Sequence, residues 1–80
     1  MNRGTGFDWD SANEGHISRH GITRREAEEV LRGASFPLAR AHRSGEERHT
    51  ELGETGEGRL IIVVWAWRDA RVRVVNRVSG

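Results

Sequence analysis

The chain reads as an α+β domain: a short N-terminal strand, two helices, then a three- to four-stranded antiparallel meander. Three observations predict this. Ser11 with Glu14 and Thr23 with Glu26 match capping boxes, and each opens a short segment that closes on a glycine. Residues 59–67 (RLIIVVWAW) and 71–78 (RVRVVNRV) are rich in β-branched and aromatic side chains, as strands are. Residues 53–58 (GETGEG) supply a polar, glycine-rich loop leading into the first of these strands.

Taken in order, residues 1–6 are expected as a flexible lead-in and residues 7–80 as one domain. Phe7-Asp8-Trp9 is expected as a short edge strand. Asp10 or Ser11 then caps a first helix that runs to His20, with Gly21 as its left-handed stop. Gly15 weakens that helix by about 1 kcal/mol relative to alanine. The second helix spans residues 24–32, with Ala27, Val30 and Leu31 on one face, Ile22 at the corner before it and Gly33 as the stop. A strand is expected over 36–41, where Pro37 restricts it to a sheet edge or a strand start. A second follows over 47–52.

Composition narrows the function classes. Eighty residues, 35% of them hydrophobic, with a mean hydropathy of −0.70, give a thin core of the kind that leans on a partner. The absence of cysteine excludes disulfides and thiolate–zinc sites. No apolar stretch approaches the roughly 20 residues of a membrane span, and the N-terminus lacks the apolar run of a signal peptide, so a cytoplasmic protein is expected. Net charge is only +1, yet all thirteen cations are arginine. Guanidinium binds phosphate bidentately and stacks on bases. Five of these arginines fall at 59, 68, 71, 73 and 77, with Asp69 the only acid from Arg59 onward.

Which way those arginines point depends on turn parity. Along the last strand Arg71, Arg73 and Arg77 face one way, and Val72, Val74 and Val78 the other. A three-residue loop at Arg68-Asp69-Ala70 sets Trp67 and Trp65 beside Arg71 and Arg73, leaving Leu60, Ile62, Val64 and Ala66 to join the valines under the helices. A two-residue loop puts the tryptophans with the valines instead. The three-residue version sorts the faces better and is preferred. Counting back places Arg48 on the same side, with Ile61 and Val63 among the arginines and in need of cover. Cations beside indoles suit a ligand of phosphates and bases, and RNA is the expected ligand.

The order Phe7-x-Trp9-Asp10, His20-Gly21-Ile22, Glu26-Ala27, Val30-Leu31, Glu47-Arg48, Leu52-Gly53, Gly58-Arg59-Leu60 and Arg71-Val72-Arg73-Val74-Val75 resembles BrnT-type toxins of bacterial toxin–antitoxin pairs across residues 7–76. The resemblance implies a RelE-like fold, a ribonuclease that cuts mRNA and blocks translation, and a BrnA-type antitoxin partner through which alone DNA is contacted. The family's first-helix Lys and Asn are represented by Asn13 and His16. Its Ser-Ala-Arg after the last strand reads Asn76-Arg77-Val78, and its basic C-terminal helix has no counterpart before Gly80.

Metal-free RNA cleavage needs a base for the 2′-OH proton and cations for the developing phosphorane. Arg48, Arg73 and Arg77 are the expected phosphate ligands and transition-state stabilisers, with Arg59 and Arg71 steering the strand and Trp65 and Trp67 stacking on bases. His20 is the proton-transfer candidate by resemblance; a helix-end histidine favoured by the dipole is the structural alternative. His16 and His20 lie four residues apart, but no third ligand is evident, so neither a metal nor a cofactor is expected. A non-catalytic protein- or RNA-binding domain of the same fold is the competing function.

Overall fold

The computed structural model describes residues 6–43 and 45–76. Two helices, α1 (Ser11–Ser18) and α2 (Arg24–Arg32), precede four strands, β1 (Phe36–Arg43), β2 (Glu46–Glu54), β3 (Leu60–Arg68) and β4 (Arg71–Asn76). The strands form one antiparallel sheet in the order β1-β2-β3-β4. Residues 77–80 lie outside the described residues, and with them the expectations for Arg77 and Val78.

Helix α1 starts one residue before the Ser11–Glu14 pattern. Asp10 is the cap: its carboxylate accepts from the Asn13 N–H at 3.0 Å, and the Asn13 side-chain oxygen accepts from the Asp10 N–H at 2.8 Å. Asn13 is buried, and its amide nitrogen donates to the carbonyls of Asp8 (3.1 Å) and Val74 (3.0 Å), tying the helix start to the sheet. The helix also ends earlier than His20. The Ile22 N–H reaches back to the Ile17 carbonyl and that of Gly21 to Ser18, with Gly21 left-handed at φ 76°, a Schellman closure that buries Ile17 and Ile22 together. Ahead of this helix, Phe7 makes one parallel bridge to Val72 in place of the expected strand.

Helix α2 has the expected capping box, with the Thr23 hydroxyl on the Glu26 N–H (3.1 Å) and the Glu26 carboxylate on the Thr23 N–H (3.0 Å). Gly33 ends it as expected, in extended conformation at φ −90°. Strand β1 lies at the sheet edge, as Pro37 requires, and carries a bulge between Pro37 and Ala39. Strand β2 runs past Leu52 to Glu54, so Gly53 is a strand residue. The loop that follows is closed by buried Thr55, whose hydroxyl accepts from the N–H groups of Arg59 (3.1 Å) and Glu57 (3.3 Å).

The β3–β4 connection overturns the preferred parity. Arg68 pairs directly with Arg71, leaving a two-residue turn in which Asp69 (φ 52°) and Ala70 (φ 64°) are both left-handed, the geometry that suits strand twist in a tight hairpin. Trp67 is therefore opposite Val72 and Trp65 opposite Val74. The apolar face under the helices is Ile61, Val63 and Val74, buried with Ile17, Ile22, Ala27 and Val30. Leu60, Ile62, Val64 and Ala66 lie on the other face, with the arginines. A strand bulge opposite Val64 and Trp65 adds local twist near the end of β4.

Gly53 allows the helix layer to approach. A Cβ there would lie 2.6 Å from Cγ1 of the fully buried Val30. Gly53→Ala is therefore expected to destabilise the domain by about 1–3 kcal/mol through overpacking, measured as a fall in the urea midpoint. Ala70→Gly is expected to raise the same midpoint. Relief of the left-handed alanine (about 1–2 kcal/mol) outweighs the entropic cost of glycine (about 0.5–1 kcal/mol).

Candidate functional site

The two sheet faces carry different chemistry. Both helices cover one of them. The other presents an apolar field of Leu52, Ile62 and Val64 with the exposed Phe36 (64%) and Leu60 (67%). At the turn end of this open face stand four arginines. Arg73 is opposite Ala66. Continuing the β2–β3 register one step from the His49–Trp65 pair brings Arg48 to the other side of Ala66, and Ala66 is fully buried between them. Arg68 and Arg71 form the next cross-strand pair, both exposed.

Their partners separate them. Arg73, only 16% exposed, holds Asp10 at 3.0 Å and Asp8 at 3.4 Å. The extended segment from Phe7 to Asp10 makes this possible. Its aromatic residues turn toward α2, where the Trp9 indole N–H donates to Glu28 (2.6 Å) and the Arg32 guanidinium lies 5.1 Å from the Phe7 ring. The alternate residues, Asp8 and Asp10, then fall to Arg73. The hydrogen bond from Arg73, with that from the Asn13 backbone, holds the Asp10 carboxyl below its ordinary value, and Asp10 in turn raises that of Arg73. Arg48 bonds Glu46 on its own strand face at 3.3 Å. Arg68 and Arg71 pair with no carboxylate among the described residues.

The other expected site residues lie elsewhere. Arg59 is a strut: one guanidinium nitrogen contacts both Glu26 carboxylate oxygens (3.0 and 3.3 Å), and the other donates to the Gly21 carbonyl at 2.9 Å. That contact also locates His20, exposed beside Gly21 with its ring 5.4 Å from His16. Arg59 precedes Ala66 by seven residues along the same chain direction, or about 20 Å at strand rise, so His20 and the Arg48–Arg73 row occupy opposite ends of the sheet. Trp65 and Trp67 face the helix side. Trp65 stacks on His49 at 4.4 Å and donates to Glu51 at 3.2 Å. Arg77 lies outside the described residues.

Sequence reasoning missed Arg68, assigned to the loop, and Glu46, the partner of Arg48. The signal for Arg68 was the Asp69-Ala70 pair itself, since aspartate is tolerated in left-handed turns. No local signal marks Asp8 and Asp10 as partners of Arg73, more than sixty positions away. Among the described residues no group of three or more histidine and acidic side chains converges as a metal site, and no helix is long and apolar enough to cross a membrane.

A family model described as ribonuclease toxin, BrnT, of type II toxin-antitoxin system matches residues 9–76. No curated protein and no solved structure matches the chain.

The Asp10–Arg73 contact has a definite pH signature. A carboxyl held below its ordinary value stabilises the fold above the unfolded pKa, near 4, and that contribution is lost as pH falls through the lower folded value. An NMR titration is expected to place the Asp10 midpoint below that of an unperturbed aspartate. In Arg73→Ala the midpoint should return upward, while a midpoint insensitive to Arg73 would contradict the contact.

Proposed function

The chain belongs to the BrnT family of ribonuclease toxins of type II toxin–antitoxin systems, and from that premise we propose that it cleaves mRNA without a metal ion on its open sheet face. The observation that carries this reading is the Arg68–Arg71 pair. Two like charges directly opposed on a sheet repel each other, and neither has a carboxylate partner among the described residues. An anionic ligand relieves that repulsion. In this reading Arg68 and Arg71 bind backbone phosphate, and Arg48 and Arg73 stabilise the charge that builds on the reacting phosphoryl oxygens. Asp8 and Asp10 hold Arg73 in place, so its geometry is set before substrate arrives. Glu46, beside Arg48, supplies a carboxylate able to take the 2′-OH proton.

Type II systems pair the toxin with an antitoxin protein. The open face suits such a partner as well, because its apolar field adjoins the arginines. A BrnA-type antitoxin laid across Phe36, Leu52, Leu60, Ile62 and Val64 covers exposed apolar surface and shuts RNA out of the same face. Translation in the cytoplasm then resumes. The RelE-like relationship fits the layer order, with helices on one side of an antiparallel meander. The remoteness of His20 from the arginines favours a second reading, a non-catalytic RNA-binding domain that shares the face but lacks proton transfer.

Induced expression with mapping of new RNA ends separates the two. Growth arrest with new ends is the expected result, whereas RNA binding without cleavage supports the second reading. The double variant Arg68→Ala, Arg71→Ala is expected to keep the wild-type circular dichroism, with a thermal midpoint no lower than that of the wild type, and to lose roughly 100-fold in cleavage at sub-saturating RNA. Undiminished cleavage would remove the open face from the mechanism. Binding should also weaken as salt rises, with a shallower log–log slope in the double variant than in the wild type.

A further inference from the structure

Trp67 is 57% exposed, although it belongs to a contiguous aromatic strip. It meets Trp65 edge to face at 5.2 Å and 84°, and Trp65 is stacked on His49 at 4.4 Å and 17°. Glu51 pins this strip from below, accepting hydrogen bonds from the Trp65 indole N–H and the Ser35 hydroxyl. The strip lies on the helix side of the sheet, near the turn end, and Trp67 stands at its exposed limit. A rigidly backed indole with an accessible ring is preorganised for stacking, because little side-chain freedom remains to be lost on binding.

The neighbours of Trp67 indicate what stacks there. The next residue along β3 is Arg68, opposite Arg71, and these two guanidinium groups project from the other face of the same hairpin. Among the described residues, only the exposed Asp69–Ala70 turn lies between the faces. Each nucleotide of a polynucleotide offers one phosphate and one base, so a strand rounding this tip meets guanidinium on one side and indole on the other.

The geometry points to a nucleobase-stacking subsite at Trp67, occupied by single-stranded RNA that leaves Arg68 and Arg71 and passes round the Asp69–Ala70 turn to the helix side. This rests on the RNA-binding reading above and extends the substrate path to the opposite face. Stacking tolerates any base, so the subsite adds affinity with little sequence preference. It also imposes a length requirement, since a fragment confined to the open face cannot reach it.

The test uses the full chain with uncleavable 2′-O-methyl oligoribonucleotides of two and of eight nucleotides. Affinity is read by anisotropy and stacking by quenching of tryptophan fluorescence. The octamer is expected to quench fluorescence and to bind Trp67→Ala roughly ten-fold more weakly than wild type. Trp67→Phe should recover much of the loss, and the dinucleotide should bind all three proteins alike. Equal octamer affinity for wild type and Trp67→Ala, with Arg68→Ala still weakened, overturns the subsite and leaves the open face standing. A wild-type chain that binds no octamer overturns both. Loss of antitoxin binding in Trp67→Ala with RNA affinity unchanged assigns the indole to the protein partner and likewise overturns the subsite.

Discussion

The two-residue turn between β3 and β4 is the constraint on which the rest of the molecule depends. With Arg68 directly opposite Arg71, every side chain on both strands is committed to a face. Ile61, Val63 and Val74 go to the helices; Arg71 and Arg73 go away from them with Leu60, Ile62 and Val64. The turn holds two non-glycine residues in left-handed conformation, Asp69 and Ala70; aspartate tolerates it, while the alanine costs about 1–2 kcal/mol. The competing register would spare that strain. With Ile61 and Val63 kept in the core as they are, it would also bring the Arg73 guanidinium beneath α1 and α2, where burying an unpaired charge costs far more. The core under the helices therefore selects the strained turn.

A second level of organisation concerns where guanidinium groups find partners. Arg59 braces the helix layer against the β2–β3 loop through Glu26 and the Gly21 carbonyl. Arg73 is held by two carboxylates from the segment before α1. Arg48 shares the single carboxylate of Glu46. Five arginines that are equivalent in composition thus divide into a strut, a fixed cation, a half-engaged cation and a couple with no carboxylate partner among the described residues. This division gives a face charge that a nearly neutral chain does not suggest.

The two-layer architecture also explains why so small a chain suits a paired system. Its helices cover one side of the sheet, leaving Phe36 and Leu60 exposed on the other. In the proposed reading, this apolar field, beside arginines with no carboxylate partner among the described residues, serves a protein partner and a polyanion in turn.

Local chemistry was legible in the amino-acid sequence. The Thr23–Glu26 capping box, the glycine after α1, the apolar stripe of α2 and the edge position imposed by Pro37 each follow from interactions within a few residues, and the family resemblance follows from their order. The cap of α1 was less legible, because Asn13 replaces the usual glutamate and earns its place through a contact with Val74 across the fold. The parity of β3 and β4 was not legible: two turn lengths differ by one residue, and the sequence offers no asparagine–glycine pair to decide between them. Nor were the partners of Arg73, since Asp8 and Asp10 meet it only after the chain has closed. The sequence by itself determined the elements, their order and the supply of guanidinium groups, all set by short-range preference. The tertiary structure alone decided which face they share and which of them find carboxylate partners among the described residues, because both depend on burial and on charges brought together from opposite ends of the chain.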